Sequence, residues 1–230
     1  MATEITTIGA ARAARRKRQI HIKEYVEAIL IAIVIAVILR MFVIQAYRVN
    51  SGSMEFTLME GDFVFVNKFA YKFSEPEIND IIVFEFPMNP TKDYIKRIVA
   101  GPGQLVEITE KQLFVDGELI APIAGTFYGD NEILPELYSS RDFFGPLQVP
   151  ADHYFVMGDN RDDSQDSRFW GFLDKKHIKG QALFIYYSWA PDPNAPEINP
   201  PYIFDLFGSA FYNLTHFFDR CRFSRLFTSL

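Results

Sequence analysis

The sequence predicts a mainly β protein: an antiparallel β-sheet body behind one N-terminal transmembrane helix, with a candidate amphipathic helix at the C-terminus. Three observations carry this. An apolar run from Ala28 to Ala46 follows a basic cluster. Past residue 60, apolar and polar residues alternate with period two, the repeat of a strand with one buried face. Between residues 60 and 190 no long segment has a helical period, which leaves the body to strands.

Residues 1–24 read as a basic head. Residues 1–23 hold 6 of the 23 Lys and Arg and 1 of the 29 Asp and Glu, so the rest has 17 basic against 28 acidic side chains, a net of −11. An acidic body argues against nucleic acid as a partner, because neutralising phosphates needs a clustered cationic face. Residues 25–46 read as a membrane anchor. The run Ala28–Ala46, about 19 residues at ~1.5 Å each, reaches ~28 Å, enough to cross a hydrocarbon core. Arg40 lies toward its far end, where the side chain can extend to the headgroups. Arg12, Arg15, Arg16, Lys17, Arg18 and Lys23 precede the run, so the positive-inside rule leaves the N-terminus in the cytoplasm and exports the remainder. A buried core helix would be shorter or amphipathic, and a cleavable signal would have an apolar region of only ~7–15 residues. The expected location is the cytoplasmic (inner) membrane, crossed once, with residues 47–190 as an extracytoplasmic β-rich domain.

In that domain Asp62–Lys68, Asp80–Phe86, Leu105–Val115, His153–Met157 and Ala182–Trp189 read as strands, as does the stretch around Lys96. Asp116-Gly117, between Val115 and Glu118, signals a two-residue type I′ hairpin. Residues 121–150, rich in Gly, Pro and aromatics, read as an extended loop or short hairpin inserted between core strands. Residues 191–230 form a Pro-rich spacer and a tail. Pro191, Pro193, Pro196, Pro200 and Pro201 stiffen the spacer. Ile203, Phe207, Phe211, Leu214 and Phe218 then recur at helical spacing, ahead of Arg220, Arg222 and Arg225. That tail reads either as a helix lying on lipid or as a segment packed on its own domain.

The chemistry gathers in three segments. Ser51-Gly52-Ser53-Met54 places hydroxyls on a flexible turn just past the apolar run. A serine hydroxyl needs a proton acceptor, and Lys96, in Asp93-Tyr94-Ile95-Lys96-Arg97, is the best candidate. A lysine serves only when neutral, so its ordinary pKa of about 10.4 must fall by roughly 3. Burial beside Ile95, Ile98 and Val99 supplies the cause, while Arg97 falls on the opposite face of the strand. Gly52 lets the turn aim the Ser53 N–H at a developing oxyanion, with the Ser51 hydroxyl as a second donor. The third segment, Gly158 to Arg168, carries Asp159, Asp162, Asp163 and Asp166 together with Arg161 and Arg168. Those arginines oppose a divalent ion and the central glycine of a calcium loop is missing, so the segment reads as internally ion-paired. His21, His153, His177 and His216 are scattered and Cys221 stands alone, so no metal, no cofactor and no intrachain disulfide is expected.

In this order and behind an anchor, Ser51-Gly52-Ser53-Met54 with Thr57-Leu58 and Gly61-Asp62, then Tyr94-Ile95-Lys96-Arg97, then Gly158-Asp159-Asn160-Arg161-Asp162 through Asp166-Ser167-Arg168 closely resembles bacterial type I signal peptidase (leader peptidase) over about residues 25–188. The resemblance implies a membrane-bound serine endopeptidase that removes signal peptides from exported preproteins through an acyl-enzyme. It implies Ser53 as nucleophile, Lys96 as general base, and Ser51 with the Ser53 amide as the oxyanion hole. Ser164 would hydrogen-bond the lysine, Asp166 and Arg168 would support it as an ion pair, and Asp159 would order the loop. Preproteins and membrane lipid are the implied partners. The chain departs from the family pattern at Asn50 and Phe56, where prolines are usual, at Asn79, where glycine is common, and over Ala100–Gln104. The alternatives are a self-cleaving serine–lysine protease, which would carry a DNA-binding segment in place of the apolar run, and an inactive anchored homologue acting as a binding module.

Overall fold

The computed structural model describes residues 23–35, 37, 44–196 and 203–230. The chain divides into two compact units, residues 1–44 and 45–230. In the first, residues 23–35 form helix α1, with Ile29, Leu30, Ile31, Ile33, Val34 and Ile35 each more than half exposed. A helix apolar all round is the pattern of a segment embedded in an apolar medium. No described helix is long and apolar enough to cross a membrane. Of the rest of the predicted anchor, residues 36 and 38–43 lie outside the described residues, as does most of the basic head. The expectation of a helix to Ala46 is corrected at its end: Ile44–Ala46 are extended and open strand β1, because the chain there pairs into the sheet of the second unit.

The second unit is antiparallel β throughout its core. Strands β1 (Ile44–Arg48), β2 (Asp62–Asn67), β3 (Ile81–Phe86), β4 (Asn89–Ala100), β9 (His153–Met157), β10 (Leu173–Asp174), β11 (Ile178–Ser188) and β12 (Thr228–Ser229) form one sheet in the order β1-β2-β11-β3-β4-β9-β10, with β12 also on β11. Four strands form a second: β5 (Leu105–Thr109), β6 (Gln112–Val115), β7 (Glu118–Leu119) and β8 (Phe144–Gln148), in the order β7-β6-β5-β8. Short helices α2 (Ala70–Phe73), α3 (Ser167–Trp170) and α5 (Phe217–Arg220) and the longer α4 (Ile203–Thr215) complete it.

The strands form where the alternation places them. In β2 every second residue is buried, and Val64 and Val66 point into a core with Met54, Leu58 and Ile185. Strand β3 is covered on both faces, which is why Ile81-Ile82-Val83-Phe84 is continuously apolar. Ile81 and Val83 join the first core, while Ile82 and Phe84 pack with Ile98, Val156 and Leu173. Each such side chain contributes about 1.5–3 kcal/mol by leaving water. A third cluster, including Val106, Ile108, Leu113 and Phe155, fastens the second sheet to the first.

Asp116 and Gly117, at φ 54° and 81°, make the predicted hairpin turn between Val115 and Glu118. Leu105–Val115 is β-rich as expected, and it is divided into β5 and β6 by a turn at Glu110 and Lys111, whose φ are 50° and 68°. Residues 121–150 are largely loop, as expected, but end in β8, which pairs with β5.

Candidate active site

Residues Gly52–Met54 form a single 3₁₀ turn that begins at Ser51. Its conformation is held from below by the third segment. The Asn160 N–H donates to the Ser53 carbonyl at 3.1 Å and the Asn160 amide donates to the Gly52 carbonyl at 3.3 Å. Gly158 packs directly behind the turn: a Cβ there would lie 2.4 Å from the Ser53 carbonyl oxygen and 2.3 Å from Ser164 Oγ. Ser53 is thereby fixed, with 7% of its surface exposed.

Lys96 comes from β4, opposite Ile82 of β3. It is 3% exposed, and its Nζ donates to Ser53 Oγ at 2.5 Å. The ring of Tyr94 lies 5.5 Å from the ammonium. Burial pushes the Lys96 pKa down to about 8, against the opposing pull of the Asp166 carboxylate. Strand pairing brings the expected serine and lysine together from positions 43 residues apart.

Arg97, on the other face of β4, holds Asp159 through two hydrogen bonds of 2.9 and 2.7 Å. Its remaining nitrogen donates to the Asn79 carbonyl at 2.9 Å, and Asn79 itself has φ 77°, a conformation that glycine adopts most readily. Asp159 also accepts from Thr57 Oγ1 at 2.6 Å. One buried carboxylate therefore ties β4 to the loop that carries the serine. Phe56 in that loop has φ 70°, which a proline ring cannot adopt.

Asp166 and Arg168 form the expected pair, with two bonds of 2.8 Å. Burial raises the Asp166 pKa, but the Arg168 guanidinium together with the Gly158 N–H and Ser164 outweighs it and keeps the carboxylate below its usual range. The segment is less self-contained than the charge pattern predicts. Asp159 pairs with Arg97, and Asp162 pairs with Lys111 at 2.9 Å. The Arg161 side chain is buried, its Nη1 donating to Met157 Sδ at 3.8 Å and its Nε without a partner among the described residues, and desolvation lowers its pKa. The expected bond from Ser164 to the lysine is not formed: among the described residues Ser164 Oγ is buried without a well-aligned hydrogen bond, and its polar influence falls on the Asp166 carboxylate, which it helps to hold down. The two expected oxyanion donors are engaged with one another, since the Ser53 N–H donates to Ser51 Oγ at 3.3 Å.

The dyad opens onto a cleft of about 610 Å³ whose walls include Tyr47, Val49, Ser51, Met54, Tyr94 and Gln165. On one side runs the backbone of residues 47–51, and on the other β4 from Lys92 to Lys96. Strand β9 pairs with β4 only from Arg97 onward, so Lys92–Lys96 lack that neighbour. A smaller cavity of about 200 Å³, lined by Ile78, Leu113, Val115 and Arg161 among others, includes neither Ser53 nor Lys96.

Sequence reasoning brought Ser51, Ser53, Lys96, Asp159, Asp166 and Arg168 to this site. It assigned nothing to Thr57, Gly158 or Asn160, although all three lie within the quoted motifs. It treated Arg97 as a residue that merely faces away.

A family model described as signal peptidase, peptidase S26, matches residues 22–189. Signal peptidase I of Aquifex aeolicus (strain VF5) is 37% identical over 231 residues, covering 77% of this chain and 89% of that protein. Signal peptidase I of Pseudomonas aeruginosa is 37% identical over 215 residues, covering 76% of this chain and 75% of its own length. Signal peptidase I of Bacillus amyloliquefaciens is 35% identical over 168 residues, with 72% and 88% covered. The crystal structure of a signal peptidase I from Enterococcus faecalis V583 is 30% identical and covers 47% of this chain and 97% of that one, with a TM-score of 0.36.

Proposed function

Since the chain belongs to the signal peptidase family, peptidase S26, we propose that it removes signal peptides from exported preproteins with Ser53 as nucleophile and Lys96 as general base. The observation that carries the assignment is the buried 2.5 Å contact between Lys96 Nζ and Ser53 Oγ. Neutral Lys96 takes the Ser53 proton as Oγ attacks the scissile carbonyl, giving a tetrahedral intermediate. The resulting ammonium returns that proton to the leaving amine, and the acyl-enzyme remains. A water then gives a proton to Lys96 and attacks the ester, and the proton passes back to Ser53 Oγ as the acid departs.

The oxyanion hole consists of the Ser53 N–H and the Ser51 hydroxyl. For both to serve, the Ser51 side chain rotates away from the Ser53 amide as the substrate carbonyl enters. Ser51 is exposed, so the rotation displaces no packed neighbour. Asp166 and Arg168 fix the Gly158 backbone through a 3.1 Å bond from the Gly158 N–H, and Asp159 with Arg97 fixes the serine loop. Ser164 is a supporting residue of the same wall, two residues before Asp166.

The preprotein enters as an extended strand in the cleft, pairing with the backbone beside Lys92–Lys96 or residues 47–51. Small side chains at −1 and −3 fill shallow apolar pockets there. In the domain reading, 1–24 lies in the cytoplasm, the anchor that begins at residue 25 crosses the membrane and ends before strand β1 at Ile44, the extracytoplasmic peptidase runs from there to 190, and 191–230 is spacer and tail. The test is processing, in detergent, of a preprotein that ends Ala-x-Ala at the cut site. Ser53→Ala and Lys96→Ala abolish cleavage with circular dichroism unchanged; wild-type turnover in either variant removes that residue's role.

A further inference from the structure

Helix α4 and the turn after it are amphipathic the wrong way round for a protein in water. The side chains turned toward the body are polar. Tyr212 donates to Asp192 at 2.7 Å, Asn213 accepts from Arg220 at 2.7 Å, and His216 stacks on Tyr212. The side chains turned outward are Leu206, Phe207, Phe211, Leu214 and Phe218, between 57% and 80% exposed. A helix docked on its own domain places its apolar stripe inward, and a contiguous exposed apolar face marks a contact with another apolar phase.

The arginines that follow the apolar repeat point toward the body. Arg225 binds the buried carboxylate of Asp62 at 2.6 Å, Arg222 donates to Ser188 at 2.7 Å, and Arg220 lies over Trp189. Together with β12 on β11 they hold the tail to the body, so the apolar face has no freedom to turn inward.

We infer that this face inserts into the bilayer surface as a second membrane contact, separate from the anchor. Two observations select lipid over a protein partner. From Leu206 to Phe218 the large exposed side chains are apolar and uncharged, and the exposed polar residues are only Thr215 and, just past the end, Asp219. That is the single apolar stripe beside a polar margin that a helix lying in a membrane surface presents. The chain also enters the body at Gln45, and Arg48, three extended residues or about 10 Å further on, lines the same cavity as Ser209, Asn213 and Arg220 of the tail. The inference rests on the proposed anchor, which brings that end of the body to the bilayer.

Spin labels test it in the full chain with Cys221→Ser, reconstituted in phosphatidylcholine vesicles. Labels replace Phe211 and Leu214 on the outward face, Ile35 in the anchor, and Thr109 as an exposed reference on the body. At 211 and 214 the ratio of oxygen to nickel-chelate accessibility should exceed that at 109 severalfold. Because the face has no cation, exchanging the lipid for an anionic one should change it less than twofold. Lipid contact at 35 with water contact at 211 and 214 overturns the inference and leaves the anchor standing. Water contact at 35 with lipid contact at 211 and 214 removes the anchor and keeps the tail contact; water at all three removes both. Spin–spin broadening between copies at 211 would make the face a dimer interface and overturn the lipid assignment.

Discussion

Folding carries the Lys96 ammonium from water into a wall where 3% of the residue stays exposed, and its pKa falls from 10.5 to about 8 because the charge loses hydration that its surroundings only partly replace. Below about pH 8 the folded and unfolded states both hold the proton, so the whole cost of burying the charge is present. Between about 8 and 10.5 the unfolded chain binds more protons, and stability rises with pH. That cost, near 2.5 pKa units at 1.36 kcal/mol each, is roughly 3 kcal/mol. Lys96→Met should therefore be more stable than the parent at pH 7 by an amount of that order, and the gain should shrink toward pH 10.5; urea denaturation at the two pH values checks it. Ser51→Ala removes one proposed oxyanion donor, and steady-state kinetics should show kcat lower by about 10²–10³ with KM little changed. Chemistry made serine and lysine candidates, since a serine near an apolar run needs a base and a lysine flanked by isoleucine and valine can provide one, but it was the order of the three motifs and their family resemblance that assigned the roles. Arg97 was not legible. Adjacent cations on a strand give no sign that one of them is clamped by a carboxylate 62 residues away.

At the scale of elements, the segment from Gly158 to Arg168 acts as a frame for two others. Its Asp159 carboxylate accepts from both Arg97 on β4 and Thr57 in the serine loop, and its Asn160 N–H donates to the Ser53 carbonyl. Gly158→Ala has no room for its methyl between Ser53 and Ser164. Chemical denaturation should show a loss of about 1–3 kcal/mol, and kcat should fall with it as the turn shifts. Arg97→Met leaves Asp159 buried without its cation, which should cost about 3–5 kcal/mol. The double variant Arg97→Met/Asp159→Leu should recover most of that stability, and a double-mutant cycle measures the coupling. A coupling near zero would mean that the pair is incidental. The sequence showed that this segment was ion-paired but placed the pairing inside it, because one-dimensional charge patterns reveal neighbours and conceal partners brought by strand pairing. The Glu110-Lys111 turn escaped for a related reason. Neither residue advertises positive φ, and β5–β6 pairing imposes it.

For the whole molecule, the basic cluster from Arg12 to Lys23 predicts a fixed orientation across the membrane. In intact cells with Cys221→Ser, a membrane-impermeant maleimide should label Thr109→Cys once the outer barrier is permeabilised and should spare Thr6→Cys until the cytoplasmic membrane is opened. The reverse pattern would invert the topology. The β body was readable from alternation because burial on one face leaves a period that survives in sequence. The tail was harder: its helical spacing was plain, but which side faces the body depends on Asp62, Trp189 and Asp192, which take Arg225, Arg220 and Tyr212 inward. Arg225 also donates to the Thr57 carbonyl at 2.8 Å, so the C-terminus braces the loop that carries Ser53.

The most direct measurement is the titration of Lys96 itself, by NMR of ¹³Cε-labelled lysine in the Ser53→Ala protein and the parent, beside the pH dependence of kcat/KM in the parent. One lysine resonance, absent in Lys96→Met, should titrate near pH 8 in the parent, and kcat/KM should rise tenfold per pH unit below that value and level off above it. A Lys96 resonance that titrates near 10.5, or a kcat/KM limb that does not follow it, would contradict the assignment of a neutral lysine as the base.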